Sequence, residues 1–469
     1  MKYNIILNTL GNLLFYLGIS MLFPLIYALY YQEETINAFV ISIIITVTTG
    51  FLLKRFFSSL EPIGIKEGFA IAGFGWIFAA IFGALPFIFT GTFSNLIDAY
   101  FESMSGFTTT GATVLVPIEG NPYSILFWRD FIQWLGGMGI IVLVVAILPA
   151  LGVGGMQLFK SEVPGPEPDK LKPKIKDTAK LLWVVYILIS AIQVACLYFT
   201  GMSLFDALTH MFGTMCTGGF TPKNLSVAAY NNPTFEIIII FFMYVAGANF
   251  ALHYKVLHGD IKSLIKDREF LFYSGIILFS ILAISTELRV HIYNSIFTAL
   301  RYAVFQVVSI TTTTGFVTAD FDTWPAFSKT ILLTLMFVGG CAGSTGGAIK
   351  NIRIMLLLKQ VIRQFKKLIH PKAVTPIRLG DKTISEEVMR NITGFFLLYL
   401  FIFVICSFIM SALGLDMISA TASVAATLGN VGPGLGLVGP TQNYAFIPPL
   451  GKIVLILCML LGRLEIYTV

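Results

Sequence analysis

Charge is scarce in this chain. Of its 469 residues, only 12% are Asp, Glu, Lys or Arg, while 56% are hydrophobic, a composition far from that of soluble domains. The net charge of +6 is therefore not the basic stripe of a nucleic-acid binder, and no nucleic-acid partner is expected. Cysteine is also rare. Cys196, Cys216, Cys341, Cys406 and Cys458 lie in apolar segments without CxxC spacing, which argues against a disulfide framework or thiolate metal site and reads as core packing. The histidines are scattered, and His253 with His258 alone make no metal cluster. No grouping of His, Asp, Glu and Cys suggests a catalytic set, so neither an enzyme nor a bound organic cofactor is expected.

Apolar runs, by contrast, fill the chain, many of them about 20 residues long and so enough to cross a lipid bilayer. A polytopic membrane protein follows. Residues 4–31 form the first run, too long for a signal-peptide core and without a small-residue cleavage site. Residues 40–56 form the second. Neither is followed by a re-entrant turn, so this pair precedes the rest as an addition.

The stretch FESMSGFTTTGAT, residues 101–113, is unlike a membrane helix. A row of threonines meets a glycine at membrane depth, where non-helical backbone is tolerated only inside protein or along a watery path. Glycine supplies the positive φ that lets successive carbonyls point one way, and rings of such carbonyls can replace the water shell of a potassium ion. The turn recurs. Thr109-Thr110-Gly111 is followed by Cys216-Thr217-Gly218, Thr313-Thr314-Gly315 and Asn430-Val431-Gly432, with the glycines 107, 97 and 117 residues apart. A near-constant period marks an internal repeat. A small residue keeps step upstream at Ala99, Ala207, Ala303 and Ala420. A proline follows each turn at Pro122, Pro233, Pro325 and Pro449, suited to the first turn of the next helix.

The fold expected is all-α and polytopic: four tandem units of helix, half-helix, filter turn and helix in a pseudo-fourfold ring around one pore, plus two extra N-terminal transmembrane helices. Residues 1–60 hold the added pair, 61–160 the first repeat, 161–260 the second, 261–370 the third and 371–469 the fourth. The half-helices are placed at residues 94–106 (capped by Ser94), 203–215, 293–309 and 416–427. Helices return across the membrane at 124–151, 234–257, from 326 onward and from 449 onward. The C-terminal ends of the half-helices, with their partial negative charge, face the pore below the filter and favour a dehydrated cation.

Lysine and arginine gather between repeats. Lys160, Lys170, Lys172, Lys174, Lys176 and Lys180 precede the second repeat, and Lys255, Lys262, Lys266 and Arg268 precede the third. Ten more, from Lys350 to Arg390, precede the fourth. By the positive-inside rule that side is cytoplasmic, the filter turns face outward and both termini are cytoplasmic. The Pro-rich stretch 164–173 reads as a loop.

Two features remain. Gly339-Gly340-Cys341-Ala342-Gly343-Ser344-Thr345-Gly346-Gly347 cannot be a quiet helix, since each glycine costs about 1 kcal/mol against alanine. Without a Gly-Lys-Ser/Thr it is not a phosphate loop. It is either a close-packing patch or, the preferred reading, an unwound segment that blocks the path below the filter. Arg463 lies in the last apolar helix, where an arginine faces a watery cavity or a partner or snorkels to the surface. Glu465 is badly placed around the helix to pair with it.

The four turns, the loop GGCAGSTGGAIK and the tail LLGRLEIY closely resemble the TrkH/KtrB/HKT superfamily of potassium transporters, with the paired N-terminal helices nearest the TrkH branch. The resemblance covers all four repeats. It implies K⁺ as the transported ion and a homodimer in the bacterial inner membrane with one pore per protomer. It implies a TrkA-like ring of nucleotide-binding regulatory subunits on the cytosolic face. It also implies that the Gly-rich loop is the gate and that Arg463 lies in the permeation path. The filter turns depart from strict symmetry, with threonine, cysteine and asparagine before the glycine-bearing dipeptides. A secondary transporter coupling Na⁺ or H⁺ to a solute is the alternative; it predicts twofold or threefold repeats and paired broken helices.

Overall fold

The computed structural model describes residues 2–57, 64–150, 175–373, 375–380 and 382–465. The expected Pro-rich loop at 164–173 and Lys160, Lys170, Lys172 and Lys174 lie outside them. The added N-terminal pair is α1 (Tyr3–Ser20) continued by α2 (Leu22–Tyr30), then α3 (Ile36–Phe56). Helices α1 and α3 pack with small residues between them: a Cβ built on Gly11 would lie 2.8 Å from the Gly50 carbonyl oxygen, the close approach typical of small-residue membrane interfaces.

The first repeat comprises α4 (Ile65–Gly83), α5 (Leu85–Phe89), the half-helix α6 (Leu96–Phe107) and α7 (Tyr123–Ala150). The second has α8 (Ile175–Phe199), half-helix α9 (Leu204–Met215), α10 (Pro233–Ala246) and α11 (Phe250–Leu257). After a short α12 (Lys262–Lys266), the third has α13 (Arg268–His291), half-helix α14 (Ile296–Thr311), α15 (Ala326–Leu335) and α16 (Asn351–Ile369). The fourth has α17 (Glu386–Ala412), half-helix α18 (Met417–Leu428) and α19 (Pro449–Arg463). A hairpin pairing Arg378–Leu379 with Lys382–Thr383 interrupts the helical pattern before α17. Six helices among the described residues are long and apolar enough to cross a membrane, or seven if α10 and α11 form one span.

The half-helices are short by construction. At about 1.5 Å per residue a 12-residue helix reaches only about 18 Å, well below the bilayer's apolar thickness of about 30 Å. Three begin on a side-chain cap: Asn95 accepts from the Ile97 amide, Ser203 from that of Asp206, and Asp416 from those of Ile418 and Ser419. The first cap is thus Asn95, one residue past the expected Ser94. The third half-helix starts after Ser295 without a side-chain cap bond, later than expected.

Two return helices are broken. Helices α10 and α11, expected as one run, bend by 105° where Asn249 caps the second piece through the Ala251 amide. In the third repeat the helix stops at Leu335 and resumes at Asn351, a wider gap than the glycines alone suggested. Of the five cysteines, Cys216, Cys341 and Cys458 are buried, whereas Cys196 and Cys406 are only half-buried. Ion pairs join neighbouring repeats: Lys452 of α19 to Asp98 of α6 at 2.6 Å, and Arg301 of α14 to Glu236 of α10 at 2.7 Å.

Candidate functional site

Each half-helix ends in the same backbone device. A left-handed residue comes first: Thr109, Thr217, Thr313 and Asn430, with φ of 52, 57, 61 and 52°. Two residues later comes a glycine with positive φ: Gly111, Gly219, Gly315 and Gly432, at 79, 75, 79 and 98°. The residue between them donates its amide to the half-helix each time, Thr110 to Ser105, Gly218 to Gly213, Thr314 to Ser309 and Val431 to Ala426, all at 2.8 Å. The second turn is therefore Thr217-Gly218-Gly219, one residue later than Cys216-Thr217-Gly218. Gly218 occupies the place of Thr110, Thr314 and Val431, and Cys216 is the C-cap of its half-helix.

These turns meet in a closed circle. A methyl group added to Gly111 would overlap the Gly218 carbonyl oxygen, one on Gly219 that of Thr314, and one on Gly315 that of Val431. One on Gly432 would come within 2.7 Å of the Thr110 carbonyl oxygen. Repeat 1 thus touches 2, 2 touches 3, 3 touches 4, and 4 returns to 1. Left-handed threonines cost of order 1–3 kcal/mol each, so the surroundings must hold them. Hydroxyl pairs do part of this, Thr108 with Thr110 at 2.8 Å and Thr312 with Thr314 at 2.7 Å. Asn430 Nδ2 donates to Thr110 Oγ1 at 2.9 Å across the last junction. A cavity of about 220 Å³ opens on one side of the circle, lined in part by all four glycines.

Behind the turns lie residues that were not singled out from the sequence. Glu102 and Arg129 pair at 2.6 Å with almost no exposure. Gln133 brackets the second turn, donating to the Gly218 carbonyl at 2.8 Å and accepting the Phe220 amide at 2.9 Å. The Tyr444 hydroxyl donates to the Gly432 carbonyl at 2.7 Å. The signal for the first two was available: charged residues inside apolar segments mark sites or partners.

On the other side, the Gly-rich segment lies against the ends of the half-helices. The Thr345 hydroxyl is 3.0 Å from the Met215 carbonyl oxygen, at the end of α9, and 3.3 Å from that of Ala246. The Gly347 amide donates to Thr313 Oγ1 at 2.7 Å. A Cβ on Gly346 would meet the Thr312 carbonyl, and one on Gly347 that of Gly429. The segment is pinned at its edges. Glu269 accepts the amides of Ala342 and Ile352 at 2.7 and 3.0 Å, the Cys341 amide reaches Gly247 at the α10–α11 break, and Lys350 caps the Gly346 carbonyl. Of Gly339 to Gly347, only Gly343 is exposed.

Arg463 does not snorkel. It is 2% exposed, and its guanidinium donates to the Thr345 carbonyl at 2.7 Å and to the Gly136 carbonyl at 3.2 Å. Its hydrogen-bond partners are carbonyl dipoles from the Gly-rich segment and from α7. Glu465 instead pairs with Arg353 of α16.

Such a chain is a polytopic membrane protein whose four half-helices converge on one ring of strained turns. The family model described as a cation transport protein, TrkH, matches residues 32–469. The Trk system potassium uptake protein TrkH of Salmonella typhimurium is 43% identical over 476 residues, covering 100% of this chain and 98% of the relative. TrkG of Escherichia coli is 34% identical, covering 99% and 96%. The crystal structure of the potassium transporter TrkH from Vibrio parahaemolyticus superposes with a TM-score of 0.91 at 38% identity, covering 100% of this chain and 98% of that one. The chain belongs to the TrkH family of cation transport proteins, and it is a transport protein rather than an enzyme.

Proposed function

We propose that this protein takes up K⁺ across the bacterial inner membrane through the ring of turns, with Thr109, Thr110, Gly111, Thr217, Gly218, Gly219, Thr313, Thr314, Gly315, Asn430, Val431 and Gly432 as the ion-selecting lining. The observation that carries this is the circular packing of each positive-φ glycine on the carbonyl-bearing residue of the next repeat. Backbone so held presents oxygens at fixed spacing, and such oxygens replace an ion's hydration shell. The names of the relatives agree in the ion. The half-helix ends at Phe107, Met215, Thr311 and Leu428 supply partial negative charge on the inner side of the ring. Buried Thr109 Oγ1, Thr311 Oγ1, Asn430 Oδ1 and Arg463 Nε lack protein partners, as suits groups bordering a hydrated path.

The Gly339–Gly347 segment is read as the gate and Arg463 as its electrostatic and hydrogen-bonding lock. The chain works as a homodimer with the turns outward and both termini cytoplasmic, controlled by a cytosolic TrkA-like ring of nucleotide-binding subunits. Such a partner opens the gate only by binding the open state more tightly than the closed one. The broken α10–α11 and α15–α16 helices do not favour the midplane solute site of a coupled transporter, because the two breaks hydrogen-bond to each other through Cys341 and Gly247. The test is flux of Rb⁺ and Na⁺ into liposomes holding the purified protein, measured side by side. Rb⁺ uptake that greatly exceeds Na⁺ uptake supports the reading; equal fluxes, or Rb⁺ flux that needs a co-transported solute, overturn it.

A further inference from the structure

Nine residues before the positive-φ glycine, each half-helix carries a polar side chain: Glu102, His210, Gln306 and Ser423. All four are buried, but they do different things. Ser423 bonds its own helix at Ala420, and His210 Nδ1 faces the Asp206 carbonyl of its own helix. Gln306 reaches Thr318 at 3.3 Å. Glu102 alone among them is in an ion pair among the described residues. Its Oε1 accepts from Arg129 Nε at 2.6 Å and from the Thr113 hydroxyl at 2.8 Å, and its Oε2 accepts the Val114 amide at 2.8 Å.

Arg129 carries the connection onward. It stands on α7, and its Nη1 donates to the Thr221 carbonyl at 3.1 Å and to Asp130 Oδ1 at 3.3 Å. Its guanidinium lies 3.6 Å from the centroid of the Phe220 ring. The backbone just past Gly111 and the backbone just past Gly219 are thus joined through one buried carboxylate and one planar guanidinium. One helical turn along α7, Gln133 grips the second turn again at Gly218 and Phe220. A helix of the first repeat therefore holds the turn of the second on the same face.

We propose that Glu102 and Arg129 are positioning residues that set the spacing of the ring at the junction of repeats 1 and 2, and through it the preference among alkali cations. This rests on the reading of the ring as the ion-selecting element. Neither residue is part of the turns themselves, although Arg129 borders the cavity beside them. Arginine suits the task because its rigid fork serves two acceptors in fixed directions, which a lysine ammonium cannot do.

The experiment compares Glu102→Gln, Arg129→Lys, the double variant Glu102→Gln/Arg129→Gln and Gly111→Ser, each as purified full-length protein in liposomes. Rb⁺ and Na⁺ fluxes are normalised to folded protein. In Glu102→Gln the amide group presents hydrogens where Arg129 or Val114 also donates, so the clamp opens without loss of volume. The Rb⁺/Na⁺ ratio is expected to fall about tenfold, as about 1.4 kcal/mol of lost discrimination gives. Arg129→Lys should do the same while keeping the charge. The double variant should be no worse than the worse single, because the two residues act as one unit. A purely structural role would lower the yield of folded protein and leave the ratio per folded protein alone. An unchanged ratio in Glu102→Gln and Arg129→Lys, with a collapsed ratio in Gly111→Ser, overturns the clamp and leaves the ring reading standing. An unchanged ratio in Gly111→Ser as well overturns the ring reading itself. If Glu102→Gln yields no folded protein, Arg129→Lys alone decides between these outcomes.

Discussion

The ring of turns and the layer beneath it are built on opposite plans. In the ring, one backbone conformation is repeated four times, from Thr109-Thr110-Gly111 to Asn430-Val431-Gly432. Beneath it the two elements that meet come from different repeats: the Gly-rich segment from the third and Arg463, hydrogen-bonded to its Thr345 carbonyl, from the fourth. Even the breaks differ, a 105° bend in the second repeat against a long unwound segment in the third. An ion stripped of water needs ligands on all sides, so under the proposed function fourfold repetition serves selection. Opening and closing needs only one element with two positions, and a single copy is easier to bias by a partner than four that must move together. On the proposed reading, repeat symmetry is kept where the ion is selected and given up where the gate moves.

The sharpest way to break this comparison lies in the second turn, which has two adjacent glycines with different duties. Gly219 has φ of 75°, and a Cβ there would overlap the Thr314 carbonyl. A Cβ on Gly218 would instead meet Gln133 and Cys216 side-chain atoms, and the other three turns carry Thr110, Thr314 and Val431 there. Gly219→Ala is expected to lower the Rb⁺/Na⁺ flux ratio at least about tenfold, since left-handed strain of order 1–3 kcal/mol is joined by a backbone clash. Gly218→Ala should change it by no more than about twofold. The reverse order of effects would mean that Gly218, not Gly219, keeps the register of the fourfold ring.

That same pair of glycines shows what the sequence could and could not tell. Apolar runs and threonine-glycine turns were legible because lipid forbids loose backbone. Which of two successive glycines takes positive φ was not, since either can. The upstream alanines held the answer: Ala99, Ala207, Ala303 and Ala420 stand twelve residues before Gly111, Gly219, Gly315 and Gly432, a uniform spacing that Gly218 spoils. The break at Gly247 to Asn249 was hidden, because one glycine in an apolar run does not end a helix and the bend is also held by backbone bonds to the Gly-rich segment, Phe250 to Gly343 and Cys341 to Gly247. The Glu102–Arg129 pair was hidden differently: each charge stood out, but their meeting depends on how α6 packs on α7. For Arg463 the sequence offered an anchor or a pore residue. Burial against the Thr345 carbonyl required the tertiary fold.

The single-copy layer predicts the next effect in size. Removing residues 343–346 takes away the Thr345 contacts to Met215, Ala246 and Arg463 while leaving the ring's own hydrogen bonds. Rb⁺ flux in liposomes without any regulatory partner should rise about tenfold, with the Rb⁺/Na⁺ ratio within about twofold of wild type. A folded deletion variant that conducts no faster than wild type would make the segment packing material and erase the functional contrast between the layers.

A smaller gain is expected from Arg463→Ala. A cation passing about 6 Å from an arginine at an effective dielectric of about 20 meets roughly 3 kcal/mol of repulsion, but the carbonyl dipoles of Thr345 and Gly136 offset much of it here. The increase in Rb⁺ flux should be a few-fold, about 1 kcal/mol of barrier, with selectivity unchanged. Added to the 343–346 deletion it should contribute little more, because part of its effect is exerted through Thr345. Flux equal to wild type in both Arg463→Ala and Arg463→Lys would reduce the residue to a packing group.

The smallest effect tests whether the repeated layer is uniform at its outer ends as well as in its turns. The half-helices start differently: α14 has no side-chain cap bond, while α18 has Asp416 bonded to two amides at 3.1 Å each. The Ser419 hydroxyl and amide hold the Asp416 carboxyl below its ordinary range. A depressed folded-state pKa means that its stabilisation is complete above the ordinary aspartate value of about 3.9 and disappears as pH falls through the lowered value. Asp416→Ala should therefore cost about 1 kcal/mol of stability near neutral pH, whereas Asp416→Asn, which still caps, should cost less. As pH falls below about 4 and on through the lowered value, the wild type's advantage over the asparagine variant should shrink. Thermal unfolding in detergent at several pH values reads this directly, and the Rb⁺/Na⁺ ratio should not move in either variant. A gap between wild type and Asp416→Asn that stays constant from neutral to acid pH would show that the carboxylate charge contributes nothing at this cap. A shifted ratio would show that the start of a half-helix, and not only its turn, shapes the ring.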